Sequence, residues 1–501
     1  MSAARAMVSI GELSAVVPAA LHANVAGDEG LAVPAITHDS RAVRAKGMFA
    51  CVRGAHHDGH SFAPAALAAG ASSLLVDHRL PLDDVAAAGD VAQLVVDDTR
   101  LALGPVAAAV NGNPSTALRV VGITGTNGKT TTSMLLAAIL RAAGDPTSVI
   151  GTLSGVFTTP EAPVLQSRLA ELRDQGERSV VMEVSSHALA LHRVDGTRFD
   201  AAVFTNLGRD HLDLHGTVEE YFGAKSLLFQ PGRAVVGVVN IDDSYGRRLF
   251  DAAPIEMVPY GKHQVSDVEV TAAAIAFTWR DARVQVPLGG AFNVHNALAA
   301  ATTAEAIGIG IDAIVAGLGA AGIVPGRFER VTVDTVAPAE IDVIVDFAHT
   351  PDGLEEVIAA AGALVSDRGR VILVFGAGGD RDRPKRPEMG AVAARLADLV
   401  VVTSDNPRSE DPARIVDEIL GGMSDDDRPR VTVEIDRSMA IRTAITMAEP
   451  GDIVIVAGKG HETTQTIGDA VIPLDDRQVA RAVLADVAVR GHRNGTTESP
   501  R

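Results

Sequence analysis

Short apolar runs recur along this chain, and most of them end abruptly in polar residues. In the middle of the sequence they cover residues 120–124, 179–182, 201–204 and 235–239; further on they cover 343–345, 371–375, 399–402 and 453–456. Runs this short, rich in Val and Ile and bounded by Gly, Asn and Asp, predict strands buried on both faces, as in a parallel sheet. Stretches with helical patterning separate them, among them 133–140, 221–229 and the Ala-rich 297–307. Strand and helix in alternation predict an α/β fold whose sheets are covered on both faces. Ahead of residue 118 the signs are weaker: 48–52, 73–76 and 93–96 read as strands and 65–69 as a helix, a small α/β unit of its own. Asn111-Gly112-Asn113-Pro114-Ser115 is a breaker cluster and marks a linker. The polar residues from about 490 to 501 are predicted to be disordered.

The candidate chemistry lies where the runs end. In open parallel α/β sheets, ligands bind beyond the carboxyl ends of the strands, so residues there converge on one rim. The run at 120–124 leads into Gly125-Thr126-Asn127-Gly128-Lys129-Thr130-Thr131 and then a helix. Strand, Gly-rich turn and helix N-terminus make a phosphate cradle. Its backbone N–H groups point inward, Lys129 reaches the outer phosphates, and the Thr130 hydroxyl can hold Mg²⁺. Five residues separate Gly122 from Gly128, one more than the common spacing, so the loop is a variant. The next two runs lead to Glu183-Val184-Ser185-Ser186-His187 and to Thr205-Asn206-Leu207-Gly208-Arg209-Asp210-His211. Glu183 and His211 are candidate Mg²⁺ ligands beside Thr130, since Mg²⁺ takes one or two carboxylates together with phosphates and water. A carboxylate in such a place can also cap a helix. Asn293 and Asn296 can read a base edge or cap the helix they open. Lys225, alone on its helix, reads as a solvated charge. A second rim carries Asp346, Gly376 to Gly379, Asp405-Asn406-Pro407-Arg408 and Gly458 to Glu462. Three domains follow: a small N-terminal α/β domain (1–117), a central P-loop ATPase-like, mostly parallel sheet (118–325), and a C-terminal Rossmann-like sheet (326–501).

Composition narrows the classes. The chain has 501 residues, too many for one core, and aromatics make up only 3%, so its cores are aliphatic. With 44 basic and 63 acidic residues the net charge is −19, which argues against nonspecific nucleic-acid binding; anionic ligands then need local cations such as Lys129. The single cysteine, Cys51, excludes an internal disulfide framework, fits a reducing compartment and reads as a small core residue. No signal peptide or membrane-spanning run stands out, which predicts a cytoplasmic protein without membrane insertion. The cluster 38–41 reads as a turn and 53–60 as a polar loop; the second holds three histidines, but a loop offers them no fixed face for a metal.

Taken together, these stretches resemble the Mur ligase family, ATP-dependent enzymes that add amino acids to the peptidoglycan precursor. The likeness spans nearly the whole chain. It is carried by the 125–131 loop, Thr158-Thr159-Pro160-Glu161-Ala162-Pro163, the stretches 182–187 and 204–213, Ala224-Lys225, Val324-Pro325-Gly326-Arg327-Phe328-Glu329, 346–352, 378–382 and 405–408. Their order and number are specific, whereas the phosphate loop alone also fits folylpolyglutamate synthase. The motifs match the member that adds the third residue of the stem peptide.

The resemblance implies roles. The N-terminal domain would bind the UDP end of the substrate, with His38, Ser40, Ala55, His56 and His57 as matching positions. Thr158, Thr159, Ser185, Arg193 and Lys225 match groups that hold the muramyl dipeptide; the family often has Gln two residues before that Arg, and this chain has Leu191 there. Asn296, Arg327 and Asp346 would join the loop in binding ATP. Lys225 matches a lysine carbamylated by CO₂, an anion able to ligate Mg²⁺ with Thr130, Glu183 and His211. Arg386, Asp405, Asn406, Pro407, Arg408, Gly458 and Glu462 match the pocket for the incoming diamino acid. The implied reaction turns the D-glutamate γ-carboxylate of UDP-MurNAc-L-Ala-D-Glu into an acyl phosphate, which the amine of meso-2,6-diaminopimelate then attacks. Arg408 suits the distal carboxylate of that acceptor and Glu462 its ammonium. The alternatives are the same ligase acting with lysine, ornithine or diaminobutyrate, a folylpolyglutamate-synthase-like ligase, and a noncatalytic ATP-binding protein. A monomer acting on small molecules is expected.

Overall fold

The computed structural model describes residues 7–54, 56–82, 91–155, 157–210, 212–333, 341–366 and 368–495. Three sheets carry the fold. The central one has six strands, in the order Glu256–Tyr260, Ala234–Asn240, Phe199–Phe204, Arg119–Thr124, Ser179–Glu183, Thr147–Ile150, all parallel. The predicted runs form its middle, where Val120, Val121, Val180, Val181, Ala201 and Val203 are buried. Its edge strands were not read from the sequence, because the Thr147–Ile150 stretch is mixed in polarity and Glu256–Tyr260 is only half-buried. The helices Lys129–Ala142, Asn293–Ala306 and Ile311–Gly319 pack on one face, along with a three-stranded antiparallel sheet, Val265–Val270, Ile275–Trp279 and Ala282–Val286.

The chain first enters the sheet at Arg119–Thr124 and continues on both sides of it, with Ser179–Glu183 on one flank and Phe199–Phe204 on the other. The strand order therefore reverses at this strand, and a crevice opens where its carboxyl end meets the phosphate loop.

The C-terminal sheet repeats the plan in the order Glu329–Arg330, Asp342–Asp346, Ile453–Ala457, Val371–Phe375, Leu399–Val402, Val431–Val433; only the first pair is antiparallel. Val371–Phe375 and Ile453–Ala457 are buried along their whole length, the hallmark of strands covered on both faces. A hairpin, Thr464–Ile467 with Ala470–Pro473, stands off this sheet. The N-terminal sheet has five strands, with Asn24–Ala26 antiparallel at one edge and Ala92–Val95, Ser73–Val76, Met48–Ala50 and Ile36–Thr37 parallel beyond it.

One prediction is corrected. Asp476–Gly495 is a single helix, so residues 490–495, expected to be disordered, continue it, while 496–501 lie outside the described residues. Ala480, Val483 and Leu484 anchor the first turns of this helix in the core of the C-terminal sheet. Once a helix is nucleated by packing, further turns cost little, so polar residues can extend it.

Candidate active site

The phosphate loop is shaped by two glycines in the left-handed region. Gly128 has φ +83°, and a Cβ there would lie 2.3 Å from Asn296 Oδ1. Gly125 would meet Thr205 Oγ1 at 1.8 Å, the hydroxyl that donates to Asn127 O at 2.6 Å. Asn206 braces the other side: its Oδ1 accepts from Asn127 N at 2.8 Å and its backbone carbonyl from Thr126 N at 2.9 Å. The loop is thus held open from the neighbouring strand end.

Lys129 donates to Gly125 O and Thr126 O, each at 2.8 Å, within its own loop. Lys225 also donates to Gly125 O, at 2.9 Å, and its ammonium lies 4.3 Å from the Tyr221 ring centroid. The expectation of a solvated Lys225 is therefore corrected: this side chain is 1% exposed, because its helix packs behind the loop. Two ammonium groups on one carbonyl disfavour double protonation. Burial, and then Lys129, hold Lys225 well below the ordinary lysine range, with Asp210 opposing. Burial also lowers Lys129, opposed by Glu183 and Asp210.

Glu183 ends its strand beside the loop. It accepts from Thr130 Oγ1 at 3.0 Å, from Thr152 N at 2.9 Å and from Thr152 Oγ1 at 3.0 Å. It caps no helix; Ser185 does that for Ser186–Ala190. Asn293 and Asn296 likewise sit inside their helix and cap nothing. Asn296 donates to Asn293 Oδ1 at 2.8 Å and faces the loop. Thr130 hydroxyl and Glu183 carboxylate are hard oxygen donors, the kind Mg²⁺ prefers. His211 and Ala55 lie outside the described residues.

The loop and the C-terminal rim open onto one cavity of about 740 Å³. Thr126 to Thr131, Thr158, Glu183, Ser185 and Asn296 line it from the central sheet. Arg327, Asp346, Asp405, Asn406, Arg408, Gly458 and Glu462 line it from the other side. Arg327 bridges the two: its Nη2 donates to Thr130 Oγ1 at 3.3 Å, its guanidinium stacks 4.2 Å from the Phe347 ring centroid, and its buried Nη1 has no hydrogen-bond partner among the described residues. Burial lowers its affinity for its proton, opposed by Asp346 and Glu183. Asp346 accepts from Phe328 N at 2.6 Å and Ala348 N at 2.7 Å; burial raises it, with Arg327 opposing. Arg209 makes a second link from the central rim: its N–H donates to Asp352 Oδ2 at 2.8 Å and its guanidinium pairs with Glu388.

In the acceptor motif, Asn406 Nδ2 donates to Glu462 Oε2 at 2.8 Å, and buried Lys459 donates to the same oxygen at 2.9 Å. Arg408 Nη1 rests on Gly379 O at 2.7 Å. Two other predicted positions are not cavity-lining. Pro407 is buried, its carbonyl 1.8 Å from a Cβ built on Gly379. Arg386 is 0% exposed and commits its guanidinium to Glu410 (2.8 and 3.0 Å), Glu418 (2.7 Å) and Gly378 O (3.1 Å), which holds Glu410 down to about 2. It fixes the floor of the 378–382 loop from beneath.

The remaining predicted positions among the described residues do not line this cavity. Thr159 Oγ1 donates to Glu183 O at 2.9 Å, and Arg193 pairs with Glu161 at 2.8 Å and donates to Thr159 O at 3.2 Å. His38 Nδ1 is buried with no hydrogen-bond partner among the described residues; Ser40 begins a short 3-10 turn; His56 and His57 are exposed. Nearby His60, Asp77 and His78 bring ligand-type atoms within 4.8 Å of one another. Arg53 pairs with Asp77 at 2.6 Å, and Asp77 N–H donates to His60 Nε2 at 3.2 Å, so part of this donor set is already engaged within the protein. Cys51 is fully buried, and burial pushes its thiol up to about 12, which suits a core residue.

Several residues that build the site carried no signal in the sequence. Thr152 follows the mixed-polarity edge strand. Gln465 resembles any polar loop residue until the fold closes over it.

Comparison with known proteins gives three family matches in chain order: the Mur ligase family catalytic domain over residues 33–111, the Mur ligase middle domain over 123–304, and the Mur ligase glutamate ligase domain over 326–460. A UDP-N-acetylmuramoyl-L-alanyl-D-glutamate--2,6-diaminopimelate ligase from Geobacter metallireducens is 41% identical over 507 aligned positions, covering 93% of this chain and 96% of the relative. A solved structure of an enzyme with that same name is 32% identical, with a TM-score of 0.65 over 96% of this chain and 99% of the other. The MurF ligase of Thermotoga maritima, solved with ADP, shares the fold at 20% identity and a TM-score of 0.61, over 92% of this chain and 98% of the other. Among the described residues no helix is long and apolar enough to cross a membrane.

Proposed function

This chain belongs to the Mur ligase family, and from that premise we propose that it joins meso-2,6-diaminopimelate to the D-glutamate γ-carboxylate of UDP-N-acetylmuramoyl-L-alanyl-D-glutamate with hydrolysis of ATP to ADP and phosphate, in peptidoglycan precursor synthesis. The observation that carries this function is the shared cavity: a phosphate loop on one wall and Asp405, Asn406 and Arg408 on the other line a single chamber. A ligase that activates a carboxylate and then passes it to an amine needs both in one place, away from water.

The residues divide the work. Backbone N–H groups of the 125–131 loop and Lys129 hold the ATP phosphates, with Arg327 reaching the same space from the far wall. Asn296 and Asp346 line the nucleotide end. Thr158, Thr159, Ser185 and Arg193 hold the dipeptide so that its terminal carboxylate meets the γ-phosphoryl group. Phosphoryl transfer gives an acyl phosphate and ADP; the free amine attacks the carbonyl, the C–N bond forms and phosphate leaves. Arg408 grips the distal carboxylate of the acceptor, and Glu462 holds an ammonium. His38, Ser40, Ala55, His56 and His57 hold the UDP end on the N-terminal sheet. Arg386, held by Glu410 and Glu418, supports the diamino-acid pocket from below.

Thr130, Glu183 and His211, with a carbamate on Lys225, would hold Mg²⁺. That ion supplies charge neutralisation on the phosphates. Lys225 fits carbamylation because a neutral amine is the form that adds CO₂, and its surroundings disfavour the ammonium. The protein works as a cytoplasmic monomer divided at about 117/118 and 325/326.

The test is phosphate release by the purified protein with ATP, Mg²⁺ and the UDP-muramyl dipeptide, against meso-diaminopimelate, lysine, ornithine and diaminobutyrate, with product mass confirmed. Stimulation by diaminopimelate alone is expected. Stimulation by lysine or a shorter diamino acid would overturn the acceptor, and stimulation by none would overturn the function.

A further inference from the structure

Arg408 has an unusual backbone for an arginine: its φ is +52°, in the left-handed region that side chains other than glycine rarely adopt. Such a conformation persists only where the surroundings hold it, and here it belongs to a residue that lines the cavity. The hairpin Thr464–Pro473 supplies the hold. Arg408 N–H donates to Thr466 O at 3.0 Å, and Gly468 N–H donates to Arg408 O at 2.6 Å, so the residue is paired on both sides like a one-residue strand beside Ile467. Thr466 N–H also donates to Asn406 Oδ1 at 2.9 Å, and buried Gln465 donates from Nε2 to Asp405 O at 2.6 Å. Three of the four motif residues therefore take their orientation from this hairpin.

Resting on the reading of 405–408 as the acceptor pocket, we propose that the hairpin is the template that aims Arg408, and that Gln465 and Gly468 are its positioning residues for an acceptor carrying a distal carboxylate. Gln465 is 5% exposed, and its amide donates to Asp405 O and reaches Ser404 Oγ at 3.5 Å. Gly468 turns the hairpin at φ +57°, with open space around the place a Cβ would occupy. Crowding there is absent, so only backbone preference decides what residue 468 tolerates. A β-branched residue resists the left-handed region and Asn accepts it. Neither residue touches the reacting atoms: Gly468 holds the Arg408 carbonyl, and Gln465 fixes the hairpin to the same motif at Asp405 O.

The test compares Gly468→Val with Gly468→Asn in the full-length protein, with Gln465→Leu as a third variant. KM is measured separately for meso-diaminopimelate, ATP and the UDP-muramyl dipeptide, and kcat/KM for diaminopimelate is set against that for lysine. Gly468→Val is expected to raise KM for diaminopimelate by about tenfold, the scale of a left-handed penalty, and to narrow the preference over lysine, while the other two KM values stay within about twofold. Gly468→Asn is expected to stay near the unsubstituted protein, and Gln465→Leu to follow Gly468→Val. The unsubstituted protein separates the two questions: absence of any preference for diaminopimelate would sink the acceptor assignment itself. If that preference is present and Gly468→Val and Gly468→Asn behave alike, or all three KM values rise together, the hairpin does not aim Arg408.

Discussion

Arg437 and Asp476 form a bidentate pair at 2.8 and 2.7 Å, both side chains 0% exposed. Arg437 also donates to Ser404 O at 3.3 Å and Ala457 O at 2.9 Å, the carbonyls just ahead of Asp405 and Gly458. One guanidinium thus ties together two strand ends of the acceptor rim. Asp476→Ala leaves that cation buried without its counter-charge, and removing one partner of such a pair costs about 3–5 kcal/mol. Asp476→Asn keeps the shape and one acceptor, so the loss falls to about 2 kcal/mol, the value of a charged hydrogen bond. Arg437→Met with Asp476→Leu removes both charges and refills the volume, and its loss is expected to be smaller than that of Asp476→Ala alone.

The only tryptophan, Trp279, sits on the antiparallel sheet of the central unit and does not report on this region. The assay is native-state hydrogen exchange of the Ile453–Ala457 amides, which lie at the centre of the C-terminal sheet. A loss of about 4 kcal/mol corresponds to about a thousandfold faster exchange. A change below about 1 kcal/mol for Asp476→Ala, the worth of an exposed pair, would refute the account. So would a double variant that loses as much as the two single ones combined.

Four further outcomes are expected. Lys225→Ala loses most ligase activity and is partly rescued by a short-chain carboxylate, if the carbamate supplies only an anion; full activity without additive would remove Lys225 from the site. Gly128→Ala meets Asn296 at 2.3 Å in a left-handed conformation, which costs about 1–2 kcal/mol from φ alone; a rise in KM for ATP of about tenfold or more is expected, and an unchanged value would show that the loop relaxes freely. Burial, then Arg327, depress His461 to about 4, so the unfolded chain binds the proton first as pH falls; this histidine's contribution to stability is lost between about 6.5 and about 4, and His461→Phe should flatten the acid side of a melting-temperature profile over that window. Cys51, pushed up to about 12, should resist alkylation at pH 8 in the native protein and react at once in denaturant; labelling of the native form would contradict its burial.

Much of the site was legible because its signals are local. The 125–131 loop needs left-handed backbone at Gly128, a lysine and a hydroxyl in immediate succession, and a strand behind it, and each of these can be read along the chain. Glu183, Asp346, Asp405 and Gly458 stand at strand ends, and strand ends in a parallel sheet share a rim. Lys225 was legible in place only through family likeness. On its own segment it is a charge on a helix, and its burial comes from Gly125 O and Tyr221, contacts that exist only once the helix packs behind the loop.

The sequence by itself determined the element types, the parallel α/β plan and the order of the chemical motifs. Each depends on periodicity or backbone demand within a few residues. The tertiary structure decided which side chains share a chamber and which are consumed elsewhere. Arg386 is turned from the acceptor cavity to Glu410 and Glu418, Thr152 is brought to Glu183 from an edge strand, and Gln465 is laid against Asp405. A polar side chain takes whichever partner satisfies it when burial removes water. That partner is fixed by the packing of segments far apart in the chain, so no local pattern can name it.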